Sequence, residues 1–377
     1  MNKITMLLTN AFMPDPRPLW EARSLTKAGY SVKIICWDRG EGLAEKETVD
    51  GILVQRISFR AKPTGVISKA FYLAIVWLRM LLCLAKEDAD IIWCHDFDTL
   101  PVGIVFKTFK RKKVLFDSHE IYSKMLYGDI ANPLKRFIEF LEKALVKKAD
   151  HVIVTCRPMA EFYASLGVRN ITVVGNFKDP FLFRISQELL EKERGILGVK
   201  SELVICYIAN LGRERIIEPL IDVVKEDSGI FLILGGDGYQ RPLAERAARE
   251  CPRVKYLGYV HNDLVPLYTA LADVIYYGYD KKSGMAEYCN PNKLFEALAA
   301  GKAFIGGDFG EMGKIVKEEN CGLALGEFSK ESIKKAIETM KDKDRLLGFK
   351  ENALRVGLEK YNWDKAQLNL LKAVSQV

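Results

Sequence analysis

One segment of the C-terminal half places turn residues, a cation and a carboxylate at the spacing of a helix start. Asn290–Asn292 is rich in turn residues, and Lys293–Ala300 predicts a helix that ends at Gly301. An asparagine before a helix is a strong N-cap, and the first N–H groups, beside Lys293, would bind an anion. Glu296 follows one turn later, where it could accept hydrogen bonds from the ribose hydroxyls of a nucleoside diphosphate. Glu296 could equally be the acid of a capping box in a structural helix.

Two arginines follow a candidate strand in the same half. The loop 210–215 comes directly after the apolar run Leu203–Ile208, so Arg213 and Arg215 are expected at the carboxyl end of that strand. An arginine at this place can pair with an anionic group of a bound ligand. The alternative is that Arg215 is a solvent-exposed residue paired with neighbouring glutamates.

Glycines follow two further candidate strands. The glycines of Gly235–Gly238 and Gly258–Val260 would let the backbone approach a ligand closely. A short glycine-rich turn is also typical of any tight connection between a strand and a helix, so these residues support a ligand site only together with the others.

Two of the four histidines follow strands of the N-terminal half. His119 lies just past the run Lys113–Asp117, and His95 ends the preceding strand. We expect a functional role for His119, whereas functional and structural roles for His95 are equally compatible with its position. The next residues, Asp96–Asp98, have the form of a metal-binding Asp-x-Asp motif, but they follow an N-terminal strand and no metal site is predicted.

Short apolar runs alternate with helical patterns along the chain. The candidate strands of the N-terminal half are Lys3–Thr9, Ser31–Cys36, Ile52–Arg56, Asp90–Cys94, Lys113–Asp117, His151–Thr155 and Ile171–Val174. Those of the C-terminal half are Leu203–Ile208, Ile230–Leu234, Val254–Leu257, Val274–Tyr277, Ala303–Gly306 and Gly322–Leu325. Runs such as IIWC are apolar throughout, as strands buried on both faces of a parallel sheet are. The pattern predicts the α/β class, with two doubly wound Rossmann-like domains facing a cleft.

The composition is that of a globular protein with a mild positive charge. The 377 residues suggest two domains, and the net charge of +7 permits phosphorylated or anionic partners without demanding nucleic acid, so no nucleic-acid partner is predicted. The eight cysteines are scattered and form no Cys-x-x-Cys pair, which argues against a disulfide framework or a zinc site and favours a reducing, cytoplasmic compartment.

Several of these segments together resemble a known family. PNKLFEALAAGKAF resembles the donor-binding segment of retaining glycosyltransferases of the family-four type, which have the GT-B fold. EARSLTKAGYSVKIIC is similar to that family's first helix and second strand, and FDSHEIY resembles its acceptor-side histidine segment. NLGRERIIEPLI, LGGDG, YLGYV and YNWDKAQLNLL fall in the order of its donor loops and closing helix. The resemblance covers nearly the whole chain.

The resemblance implies a retaining transferase that moves a sugar from a UDP- or GDP-linked donor to a glycan, lipid-linked or other hydroxyl acceptor, without cofactor or metal. Residues 1–180, with a helix at 362–377 packing back on them, would bind the acceptor, and residues 181–361 the donor. The implied catalytic residues are His119, Arg215 and Glu296. The implied donor-binding residues are Arg213, Arg215, Gly236, Tyr259, Val260, Asn290, Pro291, Asn292, Lys293, Leu294 and Glu296. The implied acceptor-side residues are Arg17, His95, Asp96 and His119.

Two positions depart from the family pattern. Many members carry a second glutamate where this chain has Tyr288, and Glu287 is one residue away. Many also have a glycine-rich first loop, whereas this loop has prolines at positions 14, 16 and 18, and Arg17 would supply the phosphate contact. A sugar-nucleotide epimerase or hydrolase on the same fold, or a non-catalytic sugar-nucleotide-binding subunit, are the alternative functions.

The N-terminal half also carries features of membrane-surface proteins. The run Ala70–Ala85 is strongly apolar but too short to span a bilayer, and it contains an arginine. A basic cluster at Lys107–Lys113 and a basic helix at Pro133–Lys148 lie in the same domain. Peripheral attachment to the cytoplasmic face of an anionic membrane and an ordinary core helix with solvated lysines are equally compatible with this pattern.

Overall fold

We describe a computed structural model of the chain, which covers residues 2–13, 15–61, 66–125, 132–200 and 203–377, with the backbone alone for residues 66, 67 and 69. The chain forms two compact units. The first comprises Met1–Val174 and Gln367–Val377, and the second comprises Gly175–Ala366. The sequence placed the boundary after residue 180 and the start of the returning helix at residue 362. Pro14, one of the three prolines of the first loop, lies outside the described residues.

The first unit is built around an eight-stranded sheet. Its strands are β1 (Lys3–Leu8), β2 (Ser31–Asp38), β3 (Lys46–Val49), β4 (Ile52–Ser58), β5 (Ile91–His95), β6 (Lys113–Ser118), β7 (His151–Val154) and β8 (Ile171–Val173). Their order is β3-β4-β2-β1-β5-β6-β7-β8, with every pair parallel except β3 and β4. The sequence did not predict β3, because this edge strand is polar and only partly buried and so lacks a continuous apolar run.

Helices connect the parallel strands of the first unit. They are α1 (Pro16–Lys27), α2 (Val66–Leu84), α3 (Leu100–Lys110), α4 (Tyr122–Met125), α5 (Asn132–Val146) and α6 (Arg157–Ser165). Helix α1 begins at Pro16, since a proline at the first helical position lacks only an N–H that would have no partner in the helix.

The second unit has a six-stranded, fully parallel sheet. Its strands are β9 (Leu203–Ile208), β10 (Ile230–Gly235), β11 (Val254–Tyr256), β12 (Val274–Tyr276), β13 (Ala303–Gly307) and β14 (Gly322–Leu325), in the order β11-β10-β9-β12-β13-β14. Every residue of β9 and β10 is buried, as the apolar runs predicted.

Nine further helices lie in the described part of the chain after the first-unit helices. They are α7 (Gln187–Leu197), α8 (Glu218–Glu226), α9 (Arg241–Glu250), α10 (Val265–Leu271), α11 (Asn292–Ala300), α12 (Gly310–Glu318), α13 (Lys330–Lys341), α14 (Lys343–Glu359) and α15 (Trp363–Ser375). Most of α15 belongs to the first unit. Short 3₁₀ turns lie at Pro180–Phe183, Asn262–Leu264 and Ala286–Tyr288. Buried apolar side chains hold α11 against the sheet. Burying each of Phe295 and Leu298 contributes about 1.5–3 kcal/mol to the stability of the fold.

Each sheet reverses its direction of growth once. The chain adds strands on one side of β1 and then returns to pair β5 with its other edge, and β9 is flanked in the same way by β10 and β12. In open α/β sheets, ligands bind outside the carboxyl ends of the strands at such a switch point. The residues that follow β1 and β5, and those that follow β9 and β12, are therefore the positions where a site is expected.

Among the described residues, no helix combines the length and the apolar character that are needed to cross a bilayer.

Candidate active site

Charged and titratable side chains meet at the carboxyl ends of β5 and β6 in the first unit. His95 is the last residue of β5, and Asp96 follows it. Asp117 lies near the end of β6, directly opposite His95 in the parallel pair, and His119 follows that strand. Arg17 reaches the same place from the first turn of α1. The structure thus brings together all four residues that the sequence assigned to the acceptor side, and adds Asp117.

Asp117 is the buried centre of this cluster. Arg17 donates two hydrogen bonds to it, from Nε to Oδ2 at 3.2 Å and from Nη2 to Oδ1 at 2.8 Å. A forked pair of this kind is among the stronger hydrogen-bonded contacts in proteins. Burial alone would raise the pKa of Asp117, but Arg17 and His119 outweigh it and hold that pKa well below its usual value. Asp117 is therefore an anion in contact with the ring of His119, and Arg17 is engaged with it rather than projecting toward a phosphate.

His119 lies between two carboxylates. Its Nε2 is 3.3 Å from Oδ2 of Asp117, its Nδ1 is 3.3 Å from Oδ2 of Asp96, and its backbone N–H donates to Oδ1 of Asp96 at 3.1 Å. Burial favours the neutral ring, but the two carboxylates prevail and raise the pKa of His119 to about 10. The ring keeps 23% of its surface exposed. At neutral pH His119 is thus an accessible imidazolium, which can offer charge and hydrogen bonds but cannot accept a proton.

His95 lies behind His119 and is almost fully buried. Its Nδ1 is 3.3 Å from Oδ2 of Asp117 and 3.4 Å from Nε2 of His119, and its ring stacks on Trp93 with centroids 5.9 Å apart. Burial lowers the pKa of His95, so the ring is neutral. Its position suits it to orient Asp117 and His119 rather than to touch a ligand.

Glu21 completes the cluster and was not singled out from the sequence. It is fully buried, with Oε1 at 3.1 Å from Nε of Arg17 and Oε2 at 3.8 Å from Nε2 of His95, and neither oxygen has a partner of hydrogen-bond geometry. Burial, together with Asp117, raises the pKa of Glu21 well above its usual value. The signal available in the sequence was its spacing of four residues from Arg17 on one helix.

Asp96 adopts a backbone conformation that is unusual for a residue other than glycine. Its φ is 60°, in the left-handed region, and its N–H donates to the carbonyl of Asp117 at 2.9 Å. The Asp-x-Asp segment does not direct its two carboxylates to one point, because Asp96 contacts His119 whereas Asp98 accepts from the hydroxyl of Thr9 at 2.5 Å. Burial and the charge of Asp96 raise the pKa of Asp98 to about 6.

His95, Asp117 and His119 are also residue types that bind metals, and one potential ligand atom from each lies within 4.8 Å of the others. A metal requires the unprotonated ring and an available carboxylate. Here Asp117 already accepts two hydrogen bonds from Arg17, and His119 lies between Asp117 and Asp96. We interpret the three residues as part of an ion-pair network.

Arg215 lies at the switch point of the second unit. It follows β9, and its guanidinium group lies 4.8 Å from the ring centroid of Tyr277 and 4.7 Å from that of Tyr279, two residues that follow β12. Its Nη1 also donates to the hydroxyl of Tyr277. The Arg215 side chain is 15% exposed and its Nε lies 3.2 Å from Glu214, so it is an enclosed cation rather than the solvent-exposed residue of the alternative interpretation.

The loop that carries Arg215 is fixed by backbone contacts with the segment after β12. The N–H of Ile216 donates to the carbonyl of Gly278 at 3.1 Å, and Arg215 forms a bridge with Tyr279. A Cβ at Gly278 would lie 2.2 Å from the carbonyl oxygen of Ile216, so only glycine permits this approach. The sequence did not identify Tyr277 and Tyr279, because tyrosines at the end of a buried strand look like core residues.

The other candidate residues of the β9–β11 edge have separate environments. Arg213 is exposed and lies 4.2 Å from the ring centroid of Tyr239. Gly236 has a φ of 127°, and a Cβ there would lie 1.9 Å from the carbonyl oxygen of Ala209, so strand packing alone explains this glycine. Tyr259 is largely exposed, whereas Val260 is buried in the core of the unit.

The predicted helix at the donor segment is present, but its cap differs from the prediction. Helix α11 begins at Asn292, and the cap position is occupied by Pro291, which offers no side-chain cap. Asn292 Oδ1 instead accepts a hydrogen bond from Nζ of Lys178 at 2.6 Å. The prediction of an asparagine N-cap was therefore wrong. Proline takes this position because it suits the extended backbone that precedes the first turn. Gly301 ends the helix in the left-handed conformation, as predicted.

Lys293 and Glu296 form an ion pair within the first turns of α11, and both side chains are mostly buried. Glu296 is therefore engaged with Lys293 and not with the backbone N–H that a capping box would use. Leu294 is buried in the core beneath them, and Asn290 is also buried, with its carbonyl oxygen accepting from Nδ2 of Asn176 at 3.0 Å.

Comparisons with known proteins agree with this architecture. Residues 16–176 match the glycosyl transferase 4-like domain, and residues 202–342 match the glycosyl transferases group 1 domain. An uncharacterized glycosyltransferase of Methanocaldococcus jannaschii is 24% identical over 315 residues, which are 78% of this chain and 76% of that protein.

Solved structures with the same fold include two that match along their whole lengths. Sucrose-phosphate synthase from Thermosynechococcus elongatus has a TM-score of 0.78 at 18% identity, and the match covers 100% of this chain and 99% of that one. HepE of Anabaena, in complex with UDP and glucose, has a TM-score of 0.75 at 17% identity and is covered completely, as is this chain. With its two parallel-sheet units and both family domains in order, the chain belongs to the family-four-type glycosyltransferases of the GT-B fold.

Proposed function

We propose that the protein transfers a sugar from a nucleoside diphosphate sugar, UDP- or GDP-linked, to a hydroxyl acceptor with retention at the anomeric carbon. The observation that carries this proposal is the enclosed cation Arg215 at the switch point of the second sheet, where α/β proteins bind their ligands. HepE, which has the same fold, is described in complex with UDP and glucose, and this supports a nucleotide sugar as the donor.

In this proposal the donor diphosphate binds beside Arg215 and the start of α11. The N–H groups of a helix's first turn and an adjacent cation attract a diphosphate. As the bond from the sugar to the diphosphate breaks, negative charge grows on the leaving group, and Arg215 stabilises that charge. Its guanidinium group does not have to move, because the rings of Tyr277 and Tyr279 and the surrounding loop hold it in place. No divalent metal is needed for this step.

The lysine–glutamate pair of α11 would hold the nucleoside part of the donor. Glu296 is assigned to accept hydrogen bonds from the ribose hydroxyls, and Lys293, bound to its Oε2, keeps the carboxylate oriented. We assign Glu296 to donor binding and not to attack on the sugar. The proposal of retention without a covalent protein intermediate rests on the family resemblance.

The first unit is assigned to the acceptor. Its accessible imidazolium, His119, is held by Asp96 and Asp117 at the carboxyl edge of the sheet, with Arg17, Glu21 and His95 behind it. A fixed positive charge at this place would position an acceptor hydroxyl or stabilise charge in the transition state.

A panel of UDP, GDP, ADP and CMP sugars tests the donor class. A sugar nucleotide that binds, at a free concentration of 100 times its dissociation constant, should stabilise the folded protein by about 2.7 kcal/mol. A thermal-shift assay detects a change of this size. We expect a UDP- or GDP-sugar to give this shift. Stabilisation by none of these sugars would contradict the proposed donor site.

Product analysis with the stabilising donor separates the alternatives. Transfer that requires an added acceptor supports the transferase. Conversion of the donor without an acceptor would indicate an epimerase or hydrolase on the same fold, and tight donor binding with no turnover would indicate a non-catalytic binding subunit.

Replacing Glu296 should weaken donor binding. Glu296→Ala removes charge-assisted hydrogen bonds to the ribose, and we expect a loss of about 1.5–3 kcal/mol of donor affinity by calorimetry. Glu296→Gln keeps an acceptor oxygen and should lose less. Glu331→Ala is the matched control, since Glu331 is an exposed acid in the first turn of α13. Unchanged affinity in a folded Glu296→Ala protein would remove this residue from the site.

We also propose that the acceptor is lipid-linked or membrane-proximal and that the protein works at the cytoplasmic face of a membrane. The apolar and basic segments of the first unit support this proposal, which predicts that an acceptor embedded in vesicles is used more efficiently than the same glycan free in solution. Equal use of both acceptors would favour a freely diffusing substrate.

A further inference from the structure

Helix α2 is apolar on two opposite sides. Val76, Met80 and Leu84 are fully buried against the first unit. Leu78 and Leu82, which point away from those residues, are 60% and 58% exposed. A helix that only covers a sheet needs one apolar stripe, and its other side is normally polar. The exposed side of α2 therefore has a composition that solvent contact does not explain.

Two neighbouring helices extend this apolar side. Helix α3 packs on α2, and α5 packs on α3. Phe109 of α3 is 81% exposed, and Phe137 and Phe140 of α5 are 55% and 65% exposed. Single exposed apolar residues are ordinary, but several phenylalanines and leucines on three adjoining helices form a patch of the kind that marks a binding surface. We call the exposed side of these three helices the α2–α3–α5 surface.

The charges on this surface are predominantly positive. The sequences of α2 and α3 contain no aspartate or glutamate. The two acids of α5 already have partners within the protein. Glu142 accepts hydrogen bonds from the backbone N–H groups of Tyr122 and Ser123, and Glu139 pairs with Lys143 at 2.7 Å. The exposed cations at the edges of the surface are Lys110, Arg111, Arg136, Lys147 and Lys148.

Exposed apolar side chains flanked by cations fit one kind of binding partner. A second copy of the chain would meet this surface through a twofold axis, which would bring the same cations face to face. A nucleic acid would satisfy the cations but would leave the phenylalanines in contact with phosphates and water. A bilayer that contains anionic lipid satisfies both, because its headgroups attract lysine and arginine while its acyl region accepts phenylalanine and leucine side chains.

We propose that the α2–α3–α5 surface of the first unit docks on the interface of an anionic lipid bilayer. The helices lie in the headgroup region, with Phe109 and Phe140 inserted and the flanking cations on the lipid phosphates. This inference deepens the proposed membrane-proximal acceptor and rests on that proposal for its purpose, but docking is measured here without donor, acceptor or turnover. Loss of docking and loss of transfer are therefore distinguishable results.

Co-sedimentation of the full chain with vesicles tests the proposal. The protein should bind vesicles of phosphatidylcholine with about 30% phosphatidylglycerol and be released by about 0.5 M salt, which shortens the Debye length to a few ångströms. Vesicles of phosphatidylcholine alone should bind at least about tenfold more weakly. No binding to the anionic vesicles at low salt would overturn the proposal.

Two groups of variants locate the surface. F109Q combined with F140Q, and separately K110Q combined with K147Q and K148Q, should each weaken binding by at least about tenfold. These lysines are preferred to Lys112 and Lys113, which contact Asp88, Asp90 and Asp150. The matched controls in the second unit are I196Q with L347Q, and K334Q with K335Q, all exposed, and these should bind as the unaltered protein does.

Three results would contradict the assignment. Binding that survives F109Q/F140Q would show that the phenylalanines are not inserted, and equal losses in the second-unit controls would show that general charge or hydrophobicity is measured. Sedimentation velocity tests whether a second copy of the chain binds this surface instead. A dimer that F109Q/F140Q converts to a monomer would assign the surface to that second copy. A monomer that binds anionic vesicles through these residues supports the proposal.

Discussion

Arg215→Ala is expected to lower kcat by about 100-fold to 1,000-fold, the usual effect of losing one preorganised group that stabilises developing charge. The guanidinium group is enclosed by Tyr277 and Tyr279 and anchored by the hydroxyl of Tyr277, so it is already in place when the diphosphate leaves. Because its main effect falls on the transition state, kcat should fall more than donor affinity. Initial rates at saturating donor, with calorimetric donor affinity, measure the two separately.

Arg213→Ala is the matched control for this prediction. Arg213 lies two residues away but is exposed against Tyr239, and we expect its loss to cost little turnover. Tyr277→Phe keeps the ring beside Arg215 and removes the hydrogen bond, so its effect should be intermediate. Retained turnover in Arg215→Ala, with Arg213→Ala inactive, would reverse the assignment. Activity should also survive a chelator, and a strict requirement for a divalent ion would contradict the metal-free mechanism.

The sequence predicted the sheets well because their strands carry the signal in their own residues. β9 and β10 are buried along their whole lengths, and an uninterrupted apolar run between turn residues suffices to locate such strands. β3 has no such run, since it borders the sheet with alternating exposed and half-buried residues and is specified by its antiparallel partner β4. The local pattern therefore fails where a strand is polar and is specified mainly by its partner.

The candidate site could be predicted in its positions but not in its contacts. That His95, Asp117 and Arg215 stand at strand ends follows from the strand pattern. That Arg17 binds Asp117, across 100 residues of sequence, follows only from the parallel pairing and the approach of α1. Glu21 was missed for the same reason: a glutamate near a helix start is normally solvated, and only packing shows that it is buried.

His119→Ala should reduce transfer by about 100-fold to 10,000-fold, the range observed for residues that act directly at the reacting groups. We expect donor affinity to remain unchanged, because the proposed donor site belongs to the other unit. Steady-state rates and calorimetric donor binding test the two halves of this expectation. Glu142→Gln is the matched control for a buried polar change in the same unit, since Glu142 binds the backbone of α4 rather than His119. Loss of donor affinity in His119→Ala would indicate a folding or donor-binding role.

The pH dependence of kcat identifies the form of His119 that works. Burial favours the neutral ring, but Asp96 and Asp117 raise the pKa of His119 to about 10, so the imidazolium persists through neutral pH. If the imidazolium is the active form, kcat should be level through neutral pH and fall as the pH rises through about 10. The free energy of unfolding should change with pH in the same direction as kcat. The contribution of the charged His119 ring to this free energy is complete below the pKa of the unfolded chain, about 6.5, and is lost as the pH rises through the pKa of the folded protein.

Asp96→Asn tests the electrostatic cause directly. Asp96 is partly exposed and has a left-handed backbone, which asparagine tolerates, so this variant should fold. Removing its charge takes away one of the two carboxylates that hold the proton on His119, and the pKa of His119 must fall. The alkaline limit of kcat should therefore move to lower pH in Asp96→Asn, and it should be absent from the residual activity of His119→Ala. A rate that instead rises with pH toward 10 would show that the neutral ring is active and acts as a base, because only the deprotonated imidazole can accept a proton from the acceptor hydroxyl.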